Sequence, residues 1–245
     1  MILAAGKGTR LRPLTDRLPK ALVEVAGKPL LFYAVETLAA SGIREIVVNL
    51  HYYGEMIRER LGDGSRFGVA VRYSVEDPLL GSGGGILHAR ELLGESTFVT
   101  LNADTIIETD LRPVLAEHRR RQATATLVLR KDPRMETFGL IRVDAEDRIG
   151  RFLAHERPGA AAKLEPFMYT GVQILEPRVF SYMTEKQAFS ITERTYPKML
   201  QAGEPLYGHR FEGRWITVGT PEELAAAEEA LRRKALDSAA DRAIS

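Results

Sequence analysis

Lys7, Arg10, Arg12 and Lys20 fall close together in a 245-residue chain, on a loop that Gly6 and Gly8 open. Glycine reaches backbone angles closed to other residues, so successive amide hydrogens in such a loop can converge on phosphate oxygens. Fixed cations beside them stabilise charge that develops on a transferring phosphoryl group, because preset donors need little reorganisation. Pro13 and Pro19 restrict the segment that carries Lys20. The pattern is neither a P-loop, which closes with Gly-Lys-Ser/Thr, nor the dinucleotide fingerprint, which needs a third glycine at fixed spacing. The alternative reading is a solvated basic loop, since charge runs usually face water.

Asp104, in Leu101-Asn102-Ala103-Asp104, stands at the carboxyl end of the strongest candidate for a central strand. Ligands of open α/β sheets bind beyond such strand ends, so this carboxylate is placed for magnesium on phosphates; an Asp capping a turn is the alternative. Gly81-Ser82-Gly83-Gly84-Gly85 suits a base or ribose lying flat on backbone, or else a hinge. Glu76 lies five residues upstream of Gly81. A carboxylate only accepts hydrogen bonds, so it suits a guanine edge with two donors somewhat better than uracil with one. His155-Glu156-Arg157-Pro158 and Tyr169-Thr170-Gly171 carry polar groups for a sugar hydroxyl and its phosphate, and Gly139 leaves room for a ring. The five histidines show no metal-ligand spacing.

These residues need a frame that delivers strand ends to one place. Short apolar runs at Ile2–Ala5, Glu45–Leu50, Val69–Tyr73 and Thr97–Leu101 alternate with helical spacing over Pro29–Ala40, Tyr53–Leu61 and Gly85–Leu93. That order predicts an open, mainly parallel sheet covered on both faces. Strand signals dominate afterwards at Ala123–Arg130, Phe138–Val143, Arg148–His155, Phe167–Leu175 and Tyr207–Phe211. Helical signals return at Thr192–Gln201 and after Thr220-Pro221-Glu222-Glu223. One domain over residues 1–230 is expected, with a polar, frayed tail over 231–245.

Lys plus Arg number 34 against 33 Asp plus Glu, a formal charge of +1, so composition offers no global pull toward nucleic acid. The absence of cysteine removes thiolate catalysis, disulfides and Cys-type zinc sites. No apolar run is long enough to span a bilayer and the start lacks a signal-peptide pattern, so a cytoplasmic location without a membrane partner is the expectation.

The chain resembles the sugar nucleotidyltransferase (NDP-sugar pyrophosphorylase) family. The family opening Leu-Ala-Ala-Gly-x-Gly-Thr-Arg-Leu-x-Pro-Leu-Thr, then Pro-Lys, stands at Leu3 to Thr15 and Pro19-Lys20. The likeness continues through Gly27-Lys28-Pro29-Leu30, Gly81 to Gly84, Asn102-x-Asp104, Gly139, Glu156-Arg157-Pro158, Thr170-Gly171 and Trp215 to Pro221. It is similar above all to bacterial mannose-1-phosphate guanylyltransferase-like and N-acetylmuramate-1-phosphate uridylyltransferase proteins. The resemblance implies a Rossmann-like three-layer α/β/α fold with a mixed, mainly parallel sheet and a small sugar-binding β lobe. It implies transfer of a guanylyl or uridylyl group from GTP or UTP to a sugar 1-phosphate, giving an NDP-sugar and pyrophosphate with Mg2+. Arg10 would bind the β and γ phosphates and Lys20 the α phosphate. Leu3, Ala5, Gly6, Lys7, Gly8, Thr9, Glu76, Gly81, Ser82 and Asn102 would face the nucleotide. Gly139, Glu156, Arg157 and Thr170 would face the sugar phosphate, and Asp104 would hold the metal. Self-association stays open.

Two positions depart from the family pattern. Trp215-Ile216-Thr217-Val218-Gly219-Thr220 places a neutral Thr217 where the family commonly has a second metal-holding aspartate. Arg157 stands where many members have lysine, which exchanges a point charge for a planar fork. An NDP-sugar-binding regulatory relative with impaired turnover is therefore a second reading.

Overall fold

The computed structural model describes residues 1–135, 140–185 and 187–244, with 235–244 as backbone alone. Its strands are β1 (Ile2–Leu3), β2 (Glu24–Val25), β3 (Lys28–Pro29), β4 (Glu45–Leu50), β5 (Ala70–Val75), β6 (Phe98–Asn102) and β7 (Thr105–Ile107). They continue with β8 (Ala125–Arg130), β9 (Leu140–Val143), β10 (Ile149–Phe152), β11 (His155–Glu156), β12 (Glu165–Leu175), β13 (Leu206–Arg210) and β14 (Trp215–Thr217). Among the described residues, one ten-stranded sheet runs β11-β10-β9-β12-β6-β1-β4-β5, with β8 beside β12 and β13 beside β8.

Strand β1 is parallel to both β4 and β6, and β4 is parallel to β5. From β12 outward the order turns antiparallel, apart from β13 on β8. Side chains alternate across the sheet: Ile46, Val48 and Leu50 of β4 join one apolar cluster while Val47 joins the other. Helices α1 (Leu30–Ala40) and α2 (Gly54–Leu61) cover the first face, and Ile86 of α3 (Gly81–His88) anchors the second. The three layers are those of a Rossmann-like nucleotidyltransferase fold.

The long strand β12 makes the fork. Its residues Glu165 to Met168 pair with β9, whereas Val172 to Leu175 pair with β6 along the same edge. Between them Gly171 takes φ +90°, and a Cβ there would lie 2.9 Å from the Asn102 amide nitrogen. The chain thus splits a small β lobe from the parallel half beside the end of β6.

Two expectations need correction and one helix was not expected. The sequence places a helix only from Gly85, with Gly81 to Gly84 ahead of it; in the structure Gly81 to Gly85 form the first turns of α3. The helix Leu111–Arg120 had no counterpart in the sequence reading, although Asp110 caps Arg112 N at 2.9 Å and Leu111, Val114 and His118 bury one face. The polar run after Arg232 continues as helix Pro221–Ile244, since Ala, Leu, Arg and Lys are good helix formers even without an apolar stripe. No described helix is long and apolar enough to cross a membrane.

His118 ties the missed helix to the sheet. Its Nδ1 lies 2.8 Å from the Thr126 hydroxyl and its Nε2 3.0 Å from Glu176 Oε1. Burial holds the imidazole below its ordinary value of 6.5, against the opposing pull of Glu176. His209 is lowered by burial as well. The unfolded chain therefore binds protons near pH 6.5 that the folded imidazoles do not, so the contribution of these histidines to stability is full above that pH and is lost below it. Melting curves between pH 7.5 and about 5.5 should show the loss, and His118→Gln should flatten the slope; equal slopes for variant and parent would refute this origin.

Candidate functional site

Strand β1 ends at Leu3, and the chain leaves the sheet between two parallel neighbours. Beyond it lies a cavity of about 230 Å³ lined by Leu3, Ala4, Ala5, Gly6, Lys20 and Ala21 on one side. Asn49, Leu79, Gly81 and Ser82 form another wall, and Asn102, Ala103 and Asp104 close it at the end of β6. A larger hollow of about 660 Å³ opens at the other end of β6, between helix Leu111–Arg120 and the Ala202–Pro205 turn. Its buried charged groups are already engaged: Glu204 accepts from Thr124, Arg178 and Tyr182, and His118 is held as described. The smaller cavity is the candidate site because it gathers the Gly-rich loop, a cation and a carboxylate at strand ends.

The loop that follows β1 is shaped by Gly8, at φ +62°. Its carbonyl accepts from Leu11 N at 2.9 Å and from the Thr15 hydroxyl at 2.8 Å. A Cβ on Gly8 would stand 2.8 Å from Lys20 Cβ, so the two ends of the loop touch through this glycine. Lys20 Nζ meets Asp104 Oδ2 at 2.6 Å, a charge-assisted bond between side chains 12% and 33% exposed. Asp104 Oδ1 has the Thr105 hydroxyl at 3.5 Å, and its carbonyl accepts from Val218 N at 3.0 Å. Thr217 lies opposite Thr105 in the β7–β14 pair, beside Asp104.

Lys7, Thr9 and Arg10 are exposed and outside the cavity wall. Arg10 reaches across to Gly219, where a Cβ would meet its Nη2 at 3.0 Å. Glu223 Oε2 accepts from Gly219 N at 2.7 Å and Glu223 Oε1 lies 3.5 Å from Arg134. The tertiary fold therefore brings the loop's arginine to the start of helix Pro221–Ile244, far away in sequence.

Several predicted residues are engaged by protein groups in this structure. Glu76 is 2% exposed and both its oxygens are engaged, by Asn49 Nδ2 at 2.7 Å and Leu80 N at 2.9 Å. It is not among the residues that line the cavity, so its carboxylate gives no ground for preferring guanine over uracil. The glycines of α3 make room for protein: Cβ atoms on Gly81 and Gly83 would stand 2.6 and 2.2 Å from Phe189, and one on Gly85 would stand 2.3 Å from Glu76. Ser82 remains in the wall, with its hydroxyl accepting from Ile191 N at 3.1 Å. Thr170 is buried with its hydroxyl given to Val128 O at 2.8 Å, and its carbonyl accepts from the Trp215 indole. Arg157 turns inward to Asp144 at 3.5 Å and to Ile149 O, while Glu156 is exposed on the edge strand β11. Gly139 lies outside the described residues. Asn49 escaped the sequence reading, although one amide in the apolar run Ile46-Val47-Val48-Asn49-Leu50 was a signal.

Among the described residues no cluster of three His, Cys, Asp or Glu could hold a metal. One carboxylate and a neighbouring hydroxyl still fit magnesium, which takes oxygen ligands, keeps waters and is often shared with substrate phosphates. Gly8→Ala tests the loop geometry. A left-handed non-glycine residue costs about 1–2 kcal/mol before the contact with Lys20 is counted, so the melting temperature should fall by at least about 3 °C. An unchanged value would contradict the described approach of Gly8 to Lys20.

A protein-family model described as nucleotidyl transferase matches residues 1–234. A UTP–glucose-1-phosphate uridylyltransferase of Synechocystis sp. is 33% identical over 89% of this chain and 59% of its own length. A mannose-1-phosphate guanylyltransferase of Mycobacterium tuberculosis is 32% identical over 91% of the chain and 61% of its own. The chain thus spans about three-fifths of these curated relatives. A solved structure of a putative glucose-1-phosphate thymidylyltransferase from Bacillus anthracis superposes with TM-score 0.82, at 25% identity and 94% coverage of both chains. HddC from Yersinia pseudotuberculosis shares the fold, with TM-score 0.77 at 23% identity over 94% of this chain and 97% of that one. With its Gly-rich loop, strand-end carboxylate and nearly full-length family match, the chain belongs to the nucleotidyl transferase family.

Proposed function

We propose that the protein joins an NTP to a sugar 1-phosphate, releasing pyrophosphate and an NDP-sugar. The observation that carries this reading is the cavity that places the Leu3–Gly6 turn, Lys20 and Asp104 within one wall-to-wall space at the ends of β1 and β6. The attacking group is the sugar-phosphate oxygen, already ionised near neutral pH, so no protein nucleophile is needed. It forms a bond to the α phosphorus as the bond to the β-phosphate oxygen breaks, and pyrophosphate leaves with that electron pair. Alignment and charge neutralisation are what the protein must supply.

In this reading Lys20 exchanges the Asp104 carboxylate for the α phosphate, two oxyanions that compete for one ammonium. Arg10, on the exposed loop near Gly219, neutralises the departing β and γ phosphates. Backbone amides of Ala5 to Thr9 cradle the phosphates, with Lys7 adding charge at the rim. Leu79, Gly81 and Ser82 seat the base, and Asn102 borders the ribose and phosphate side. Magnesium, when bound, supplies positive charge to the phosphates, with Asp104 and the Thr217 hydroxyl as its protein donors. The sugar phosphate enters toward the small β lobe, where Gly139, Glu156, Arg157 and the Thr170 main chain are the candidate contacts. Arg157 must turn from Asp144 to take part. GTP and UTP are the two proposed donors.

Pyrophosphate release measured with each of the common NTPs against a panel of sugar 1-phosphates tests the reaction. GTP or UTP should support turnover, and Arg10→Ala should lower kcat by about 10²-fold or more, as loss of a transition-state donor does. NDP-sugar binding without turnover for any pair would instead favour the regulatory relative. In a magnesium titration of the same assay, Thr217→Asp should shift half-activation to lower concentration; coincident curves would remove Thr217 from the metal site.

A further inference from the structure

Asn49 and Glu76 are buried, at 3% and 2% exposure, and together they connect two walls of the cavity. Ala4 N–H donates to Asn49 Oδ1 at 2.6 Å, Asn49 Nδ2 donates to Glu76 Oε1 at 2.7 Å, and Leu80 N–H donates to Glu76 Oε2 at 2.9 Å. Ala4 begins the phosphate-side turn, and Leu80 immediately precedes Gly81 of the opposite wall. We propose that Asn49 and Glu76 form a positioning relay that fixes the separation and orientation of the phosphate cradle relative to the base seat. This inference rests on the nucleotide reading of the cavity.

Chemistry sets the direction of the relay. A carboxylate only accepts, so it commits the Asn49 NH2 group to Glu76 and leaves the Asn49 carbonyl for Ala4. The Ala4 amide, just past the last β1 residue, is thereby satisfied where β1 leaves the sheet. Among the described residues no Lys or Arg forms an ion pair with Glu76, so its charge is held by these two donors. A buried carboxylate without a cation costs stability, and that cost is offset only while both hydrogen bonds stand. Gly85 adds a steric condition, since a Cβ there would lie 2.3 Å from Glu76 Oε1 and 2.9 Å from Asn49 Nδ2. Helix α3 therefore rests directly on the relay, and displacing the pair moves Gly81 and Ser82 with it.

The polarity of the relay can be inverted without changing its size or charge. In the double variant N49D/E76Q, the carboxylate moves to the first position and the amide to the second. One oxygen of the relocated carboxylate then accepts from Ala4 and the other from the relocated NH2 group, while the amide carbonyl accepts from Leu80. All three hydrogen bonds return. N49D alone sets two carboxylates against each other, and E76Q alone leaves two donors facing each other somewhere along the chain.

Titration of the full chain with GTP and UTP, followed by calorimetry and paired with melting curves, reads the relay. Each single variant should weaken nucleotide binding about tenfold or more, at temperatures where it is folded, and the double variant should return to within about threefold of the parent. If the folded singles bind as the parent does, or if the double is no better than the product of the singles, the relay is overturned and the nucleotide reading stands. If the singles do not fold, the inverted double must by itself bind within about threefold of the parent, and weaker binding refutes the relay. A parent chain that binds neither nucleotide overturns the nucleotide reading and the relay with it.

Discussion

The site depends on where a two-residue strand stops. Strand β1 is bounded on both sides by parallel partners, so its hydrogen bonds are taken as far as Leu3 and then have no ladder to continue. The backbone that leaves at Ala4 must find new acceptors in a buried place, and Asn49 supplies the first at 2.6 Å. The Gly-rich turn follows from that exit, and its return at Lys20 is held by Asp104, just past the end of the neighbouring strand β6. One strand end and one ion pair thus bring together segments about 80 positions apart in the chain.

Glycine illustrates how a motif can be read correctly as close approach and incorrectly as to what approaches. The run from Gly81 to Gly85 signalled that something lies against the backbone. Phe189 and Glu76 fill that role, packing the far side of α3, while the near side at Gly81 and Ser82 still faces the cavity. A helix made of glycines is intrinsically poor, by up to about 1 kcal/mol per residue relative to alanine. Its persistence here follows from packing against Phe189, Ile191 and Glu76, with Gly83, Gly84, Gly85 and Ile86 all buried.

The small β lobe has a different origin. The edge of β12 serves β9 first and β6 afterwards, and at the change of partner from Tyr169 to Gly171 the backbone passes close against Asn102. Trp215 holds that segment by donating to the Thr170 carbonyl at 2.8 Å, and the pairing of its strand β14 with β7 brings Thr217 next to Asp104. The second half of the chain therefore contributes to the site chiefly through strand pairing, with side chains such as Thr170 committed to the fold itself.

The amino-acid sequence by itself determined the alternation of β4, α1, α2 and β6, because apolar period and glycine stops are local signals. It also singled out the first loop and Asp104 as one expected site, because residue types there have few structural uses in combination, and the fold brings Leu3 to Gly6, Lys20 and Asp104 to one cavity. It did not determine the helix Leu111–Arg120, whose short amphipathic stripe lies among many charges, nor the roles of Glu76, Thr170 and Arg157. Those were decided by tertiary structure. Whether a polar side chain faces ligand or protein depends on which donors and acceptors surround it after folding, and for Glu76 these come from Asn49 and Leu80, on two separate segments. The sequence names the chemical groups; only the packed fold decides which of them are already satisfied and which remain turned toward the cavity.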